Sequence, residues 1–556
     1  MEIINIKDLN FKYMLQNNNA LNNINLSINE GDFVLICGES GCGKTTLLKQ
    51  LKKELVPYGI QEGNVYYQNK PIKDMSLKES ATSIGYVMQS PDNQIVTDKV
   101  WHELAFGLEN IGENPNIIRR RVAEMANFFG ISYLFREDCD SLSGGQKQLL
   151  NLASTMLLQP NVLILDEPTS QLDPIVAVEF IDNLKKLNDE FSITIIIVEH
   201  RLEDVFKVAN KVIVMDHGSI IAEANPDQIA RKIQAINENH PFLKALPTPM
   251  KITLKLNLSE QLPLSIKEGR LLLKEYFKDA KNKVFINEEV TINKKELIKM
   301  KNVYFRYRKD DDDILRGLNL KIYESEIYCL LGSNGAGKTT TINNIAGILH
   351  PYRGKVIVND IDINKKNNKL PTYFIGYLPQ NPTLLFAKDT VNEDLKQDFK
   401  RKLKDNPNVE NDLNTLINEF KINHLLEQHP YDLSGGEQQK VALIKILINK
   451  PKIIILDEPT KGLDAYAKQK FATLLNQLIA KNITIIIVSH DIEFCSQYGS
   501  RCAMLFDGEI ISEDYARSFF KDNNFYTTAA AKLTRNIFKN TILSQDVIDL
   551  CLENLQ

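Results

Sequence analysis

Two glycine-rich runs hold the residues best suited to phosphate chemistry: Gly38-Glu-Ser-Gly41-Cys-Gly43-Lys44-Thr45-Thr46 and Gly332-Ser-Asn-Gly335-Ala-Gly337-Lys338-Thr339-Thr340. Each follows an apolar run and leads into a helix-like one, the setting in which this pattern means nucleotide binding. Glycines let backbone N–H groups close round phosphates, and the helix N-terminus adds positive potential. The lysine neutralises β and γ oxygens while the threonine hydroxyl reaches magnesium. Downstream, Asp166-Glu167-Pro168 and Asp457-Glu458-Pro459 each close an apolar run, so their carboxylates emerge at a sheet edge that faces a ligand. Adjacent acids in that place can divide the work: the aspartate orders a magnesium shell and the glutamate polarises the attacking water. Cys42, inside the first loop, reads as a small filler whose thiol could make that loop sensitive to alkylation.

The same words recur in the same order at a near-constant separation. Lys44 and Lys338 lie 294 residues apart, Gln89 and Gln380 291, Ser143 and Ser434 291, Asp166 and Asp457 291, and His200 and His490 290. Register kept through five unlike motifs means an internal duplication. The acids in each half need strands to present them. Residues 162–165 and 193–198, and again 453–456 and 483–488, are β-branched runs without polar alternation, as strands buried on both faces of a mainly parallel sheet should be. More helical sequence fills the middle of each half. The reading is an α/β architecture built twice, over residues 1–240 and 298–515. Between them, residues 241–297 carry Pro241, Pro247, Pro249 and Pro263 and are expected to form a linker. A small helix opens in it at a capping box of Ser265 and Glu268. Residues 516–556 are expected to be a helical tail.

The whole chain sets limits on what these residues can serve. Its 556 residues exceed one core, and 43% hydrophobic with 25% charged residues is the make-up of a folded globular protein. A net charge of -4 leaves no global basic field, so no nucleic-acid partner is expected. The seven cysteines are scattered without paired metal-ligand spacing, which points to a reducing compartment. The start, with Glu2 and Asp8, has no basic and then apolar leader. The longest apolar runs fall far short of the roughly 20 residues of a membrane helix, so solute movement would need partner proteins.

Leu142-Ser143-Gly144-Gly145-Gln146 and Leu433-Ser434-Gly435-Gly436-Glu437 each precede a helix, where serine and glycine amides form a second anion site. With these words the chain resembles the ABC ATPase family. Phosphate loop, signature, Asp-Glu pair and switch histidine occur in family order twice, over nearly the whole chain apart from linker and tail. The resemblance implies two tandem P-loop NTPase domains of ABC type, each with a RecA-like sheet core and a helical subdomain. They would hydrolyse ATP with Mg2+. It also implies intramolecular head-to-tail pairing, each ATP lying between the phosphate loop of one domain and the signature of the other. One site would use Gly38, Gly41, Gly43, Lys44, Thr45, Thr46, Gln89, Asp166, Glu167 and His200 with Ser434, Gly435 and Gly436. The other would use Gly332, Gly335, Gly337, Lys338, Thr339, Thr340, Gln380, Asp457, Glu458 and His490 with Ser143, Gly144 and Gly145. Magnesium would fall to Thr45, Gln89 and Asp166, and to Thr339, Gln380 and Asp457. Catalysis would fall to Glu167 with His200 and to Glu458 with His490. Asp173 and Asp464 match the loop that connects the family's sites, and Tyr13 and Tyr307 stand where its aromatic stacks on adenine.

A finer resemblance rests on Gly85-Tyr-Val-Met-Gln89-Ser-Pro-Asp92-Asn-Gln94 and Glu103-Leu-Ala-Phe-Gly-Leu-Glu-Asn110, strengthened by Val198-Glu-His-Arg-Leu-Glu203 in the first half and Val488-Ser-His-Asp-Ile-Glu493 in the second. These look like the ATPases of energy-coupling-factor importers of vitamins and metal ions. The implied partners are one integral-membrane scaffold and small substrate-capturing membrane proteins, with this chain peripheral at the cytoplasmic face. The second half reads Gln380-Asn-Pro-Thr-Leu-Leu-Phe-Ala, without the acid and second glutamine of Asp92 and Gln94, so two unlike coupling helices of that one scaffold are expected at the two positions. Three rivals fit less well. A ribosome-acting ABC-F protein would carry a long charged helical linker, which prolines interrupt here. A sugar-importer ATPase is disfavoured by the 89–94 segment, and a ribosome-recycling protein would show an iron–sulfur cysteine cluster.

Overall fold

A computed structural model of the chain describes residues 1–14, 18–170, 172–278, 295–365, 368–403, 409–523 and 526–555. It forms two compact units, the first of Met1–Leu272 together with Asp464–Tyr466, the second of Leu273–Leu463 and Ala467–Gln556. The first contains β1 (Glu2–Tyr13), β2 (Leu21–Asn29), β3 (Phe33–Cys37), β4 (Gly59–Tyr67), β5 (Lys70–Pro71), β6 (Ile84–Val87), β7 (Val162–Asp166), β8 (Thr194–Val198), β9 (Lys211–Asp216) and β10 (Ser219–Ala224). Strands β2-β1-β4-β5 make an antiparallel sheet, and β10-β9-β3-β8-β7-β6 make a six-stranded sheet in which only the β9–β10 pairing is antiparallel.

The six-stranded sheet explains the unbroken apolar runs. Leu163, Leu165, Ile195 and Ile197 enter the cluster on one face, with the helical part of the unit, while Ile164, Ile196 and Val198 enter the cluster on the other, against β1 and β2. Side chains alternate between faces along a strand, so a strand covered on both must be apolar at every position. Helices Val100–Asn110, Pro115–Phe128 and Gly144–Met156 supply the helical part.

The second unit repeats the plan with β11 (Glu296–Phe305), β12 (Leu315–Tyr323), β13 (Ile327–Leu331), β14 (Arg353–Val358), β15 (Ile361–Asp362), β16 (Ile375–Leu378), β17 (Ile453–Asp457), β18 (Thr484–Val488), β19 (Arg501–Phe506) and β20 (Glu509–Tyr515). Its sheets run β12-β11-β14-β15 and β16-β17-β18-β13-β19-β20, the same orders strand for strand.

The stretch after residue 240 is more structured than its prolines suggest. Pro247 caps the helix Thr248–Leu256 and Pro249 lies in its first turn, where a missing N–H removes no helical bond. Phe242, Leu246, Met250, Leu254 and Leu262 are buried in the first core, so this part of the expected linker packs as an extension of the first unit. The capping box at Ser265 forms in part: its hydroxyl accepts from Glu268 N–H at 3.2 Å, but the glutamate returns to the Leu264 N–H at 2.9 Å. Residues 279–294 of the expected linker lie outside the described residues. After β20, helices Ala516–Asp522, Ala529–Thr534 and Ser544–Leu555 follow, with Phe519, Phe520 and Ile542 in the second core. Among the described residues no helix is long and apolar enough to cross a membrane.

Candidate functional site

In the first unit the chain leaves β3 at Cys37 and turns through the glycine loop into the helix Lys44–Gln50. Gly38, Gly41 and Gly43 have φ of 152°, 83° and 100°. A Cβ on Gly38 would stand 2.3 Å from the Met215 carbonyl oxygen, and one on Gly43 2.5 Å from that of Ala20, so only glycine lets the loop pass. Lys44 is buried and donates from Nζ to the carbonyls of Gly38 at 2.9 Å and Glu39 at 2.8 Å. The second loop repeats this with φ of 154°, 78° and 100° at Gly332, Gly335 and Gly337. Lys338 Nζ there donates to Gly332 at 3.0 Å and Ser333 at 2.9 Å.

At the first turn of each helix a hydroxyl meets an acid. Thr45 Oγ1 donates to Asp166 at 3.1 Å and Thr339 Oγ1 to Asp457 at 3.2 Å, hard oxygen donors of the kind magnesium takes. The hydroxyls of Tyr86 and Tyr377 also reach these carboxylates, each at 3.4 Å. Burial, helped by the neighbouring Glu167 charge, pushes Asp166 up to about 6, and burial likewise raises Asp457. A dication beside them would reverse that penalty, so loop, lysine, hydroxyl and acid together fit a magnesium-bound nucleotide.

The following glutamates leave their strands through left-handed backbone, φ 46° at Glu167 and 51° at Glu458, which turns each side chain out of the sheet. Glu167 is gripped at both oxygens: Gln89 Nε2 donates to Oε2 at 2.7 Å, and His200 Nε2 lies 2.8 Å from Oε1. Burial pushes this carboxyl up, but the His200 hydrogen bond and the charges of His200 and Lys44 outweigh it, leaving it below its usual value. An ionised, oriented carboxylate of this kind can polarise water.

The second site is wired differently. His490 Nε2 lies 3.2 Å from Glu458 Oε1, 3.0 Å from Asn334 Oδ1 and 3.1 Å from Lys338 Nζ. A lone pair on that nitrogen would receive the lysine and a proton would go to an oxygen, and one nitrogen cannot do both. Burial, opposed by Lys338 and reinforced by the Asp457 charge, pushes Glu458 up to about 7. Among the described hydrogen bonds none joins Gln380 to Glu458.

Ser143 and Ser434 cap the helices Gly144–Met156 and Gly435–Leu447. Ser143 accepts from Gln146 N–H at 3.3 Å, whereas the Ser434 hydroxyl donates to the Glu437 carboxylate at 2.6 Å. The amides of Gly144, Gly145, Gly435 and Gly436 begin those helices, where backbone donors have no intrahelical acceptor. No described hydrogen bond ties either signature serine to the loop-and-acid cluster of its own unit. Tyr13 and Tyr307 stand beside the loop helices, their hydroxyls 2.9 Å and 3.4 Å from Thr46 and Thr340. Asp173 caps the helix Pro174–Phe191 through the amides of Ile175 and Val176, and Asp464 immediately precedes the helix Ala465–Ala480. Cys42 sits as the small filler its place in the loop suggests, 6% exposed, and burial raises its thiol against the pull of Lys44, which speaks against the alkylation sensitivity that a thiol there would allow.

A family model described as ABC transporter matches residues 21–170 and again residues 315–461, the two stretches that carry these clusters. The chain belongs to the ABC transporter family. A protein of Bacillus anthracis named as an ABC transporter ATP-binding protein is 38% identical over 552 residues, covering 99% of this chain and 98% of its own length. One of Methanosarcina acetivorans, named likewise, is 31% identical over 560 residues, covering 94% of this chain and 86% of its own. Among solved structures, the archaeal ribosome recycling factor aABCE1, in complex with ribosomal stalk protein aP1, covers 92% of this chain and 91% of its own at a TM-score of 0.57 and 21% identity, which shows a shared fold. CbiO1 of Clostridium perfringens, part of the ABC transporter complex CbiONQ, is 32% identical and covers 46% of this chain and 96% of its own at a TM-score of 0.38.

This ABC protein is an ATPase with a duplicated α/β nucleotide-binding domain. Its described residues hold no group of His, Cys, Asp and Glu arranged for a resident metal cluster. Three site neighbours have no role in the sequence reading, although two of them, Tyr86 and Glu199, stand inside the words quoted for the finer resemblance. Tyr86 and Tyr377 were findable, since they share the 291-residue offset of the acids they touch. Glu199 accepts the amides of Thr169 at 2.8 Å and His200 at 3.2 Å, and no spacing rule announces it. Burial raises the Glu199 carboxyl, with the Thr169 hydrogen bonds offsetting part of the shift.

Proposed function

We propose that this ATPase drives import of a vitamin or metal ion through separate membrane proteins of energy-coupling-factor type, working at the cytoplasmic face of the membrane. Lys44 and Lys338 hold the β and γ phosphates. Thr45, Gln89 and Asp166, with Thr339, Gln380 and Asp457, hold Mg2+. Glu167 and Glu458 polarise water, His200 and His490 contact the γ-phosphate, and Tyr13 and Tyr307 stack on adenine. The signature of each domain, Ser143 to Gly145 or Ser434 to Gly436, completes the nucleotide site of the other. Closure on ATP and release on hydrolysis would be transmitted to one membrane scaffold, which serves small substrate-capturing proteins.

The observation that carries the importer reading is the segment after each glutamine, which differs between the domains while the catalytic residues repeat. In the first, Gln94 Oε1 accepts from Met88 N–H at 2.9 Å, Asp92 pairs with Lys147 at 2.6 Å, and Glu103 accepts the amides of Val96 and Thr97. Val96 and Trp101 stand exposed on it. In the second, a buried Lys445–Asp394 pair at 2.9 Å does the holding, Lys445 also donating to Leu385 O at 2.6 Å, and Leu384 is the exposed residue. Repeated catalytic residues behind two unlike surfaces suit two unlike docking helices of one scaffold.

The test is a pull-down of the tagged chain from detergent-solubilised membranes of its host, with bound proteins identified by mass spectrometry. One multi-span scaffold with small, varied membrane proteins is expected. Recovery of two different large membrane subunits would overturn the energy-coupling-factor reading, and recovery of ribosomes without membrane protein would overturn import altogether.

A further inference from the structure

Glu199 is a buried carboxylate, 2% exposed, that the hydrolysis scheme leaves unused. Both its oxygens accept main-chain donors, Oε1 the N–H of Thr169 at 2.8 Å and Oε2 that of His200 at 3.2 Å. Thr169 opens the loop behind Asp166-Glu167-Pro168, and its carbonyl accepts from Leu172 N–H at 3.0 Å. One side chain therefore pins the loop behind the glutamate to the backbone of the histidine. With that amide satisfied elsewhere, Glu167 keeps one oxygen for the His200 ring at 2.8 Å and the other for Gln89 at 2.7 Å.

The second domain shows the same arrangement without this carboxylate. Its equivalent is Ser489, fully buried, whose hydroxyl accepts from Asp491 N–H at 3.0 Å and lies 3.5 Å from Thr460 Oγ1. The His490 N–H goes instead to the glutamate itself, Glu458 Oε2, at 3.3 Å. With one oxygen on the main chain, Glu458 shares the His490 ring with Asn334 and Lys338.

We propose that Glu199 is a positioning residue of the first site, taking the Thr169 and His200 amides so that both oxygens of Glu167 are left to orient the His200 ring and Gln89. It acts through His200 and touches no reacting atom. The inference rests on the reading of Glu167 and His200 as catalytic, and that reading fails by itself if His200→Ala keeps full turnover.

The experiment compares Glu199→Ser, which copies the second domain, Glu199→Gln, His200→Ala and the Glu199→Ser/His200→Ala double variant, all in the full chain with Mg2+ and ATP. Single-turnover rate, KM and melting temperature are read for each. Glu199→Ser is expected to lower the rate about tenfold, a part of the roughly hundredfold that a misplacement of about 1 Å can cost, with KM unchanged. Glu199→Gln, near in shape and with one accepting oxygen, should fall between it and the parent, which keeps the test open should the serine variant fold poorly. The double variant should be no slower than His200→Ala. Losses that multiply in the double variant, a rise in KM that accounts for the effect, or parental rates in both Glu199 variants would overturn the proposal.

Discussion

A methyl group on Gly38 would meet the Met215 carbonyl oxygen at 2.3 Å on a backbone of φ 152°, so the loop cannot keep its path with any other residue there. Gly38→Ala should destabilise the first domain by about 2 kcal/mol and weaken nucleotide binding with it, measured by thermal unfolding and a fluorescent ATP analogue. Unchanged melting and binding would contradict that account. Cys42 gives a second check at this scale. The thiolate is the reactive form, and a thiol raised by burial exposes less of it at neutral pH. N-ethylmaleimide at pH 7 should therefore label Cys42 far more slowly in the folded chain than in urea, with the rate still climbing above the pH at which an ordinary thiol levels off. Equal labelling rates would refute the shielding. Residues of this kind were legible in proportion to how rigidly chemistry fixes their spacing. Lys44, Thr45, Asp166 and Glu167 could be named because phosphate and magnesium demand those types in that order. Glu199 could not, because its partners are two backbone amides that converge only after the chain folds.

Elements behave the same way. The strands around β7 and β17 were legible because burial on both faces leaves no room for polar alternation, whereas the helices after residue 240 were obscured by prolines that start helices as readily as they break them. The tail after β20 gave no chemical signal, yet it is fastened to functional elements. Glu493, on the helix Ile492–Tyr498 that follows His490, accepts the Ala529 N–H at 2.7 Å. Asp546, 2% exposed, takes two hydrogen bonds from Arg517 and one from each of the amides of Ile542 and Leu543. Asp546→Ala removes one acceptor from Arg517 and the side-chain acceptor of the Ile542 and Leu543 amides, and should cost about 3 kcal/mol. A lower denaturation midpoint for the second domain is the expected reading, and an unshifted one would show that the tail contributes nothing to it.

Over the whole molecule, duplication was the most legible feature, since five motifs keep their register across about 290 residues and the sheets repeat strand for strand. What repetition concealed is the unlike wiring of the two sites: Glu167 lies below its usual range between His200 and Gln89, while Glu458 is pushed up to about 7 beside Lys338 and His490. Both are nonetheless assigned the same task, and that assignment is the centre of the account. The most direct test is steady-state ATP hydrolysis by the Glu167→Gln/Glu458→Gln double variant, with ATP binding measured alongside. The account predicts retained binding with turnover lowered by at least about a hundredfold, the contribution of a general base. Hydrolysis at the parental rate would contradict it.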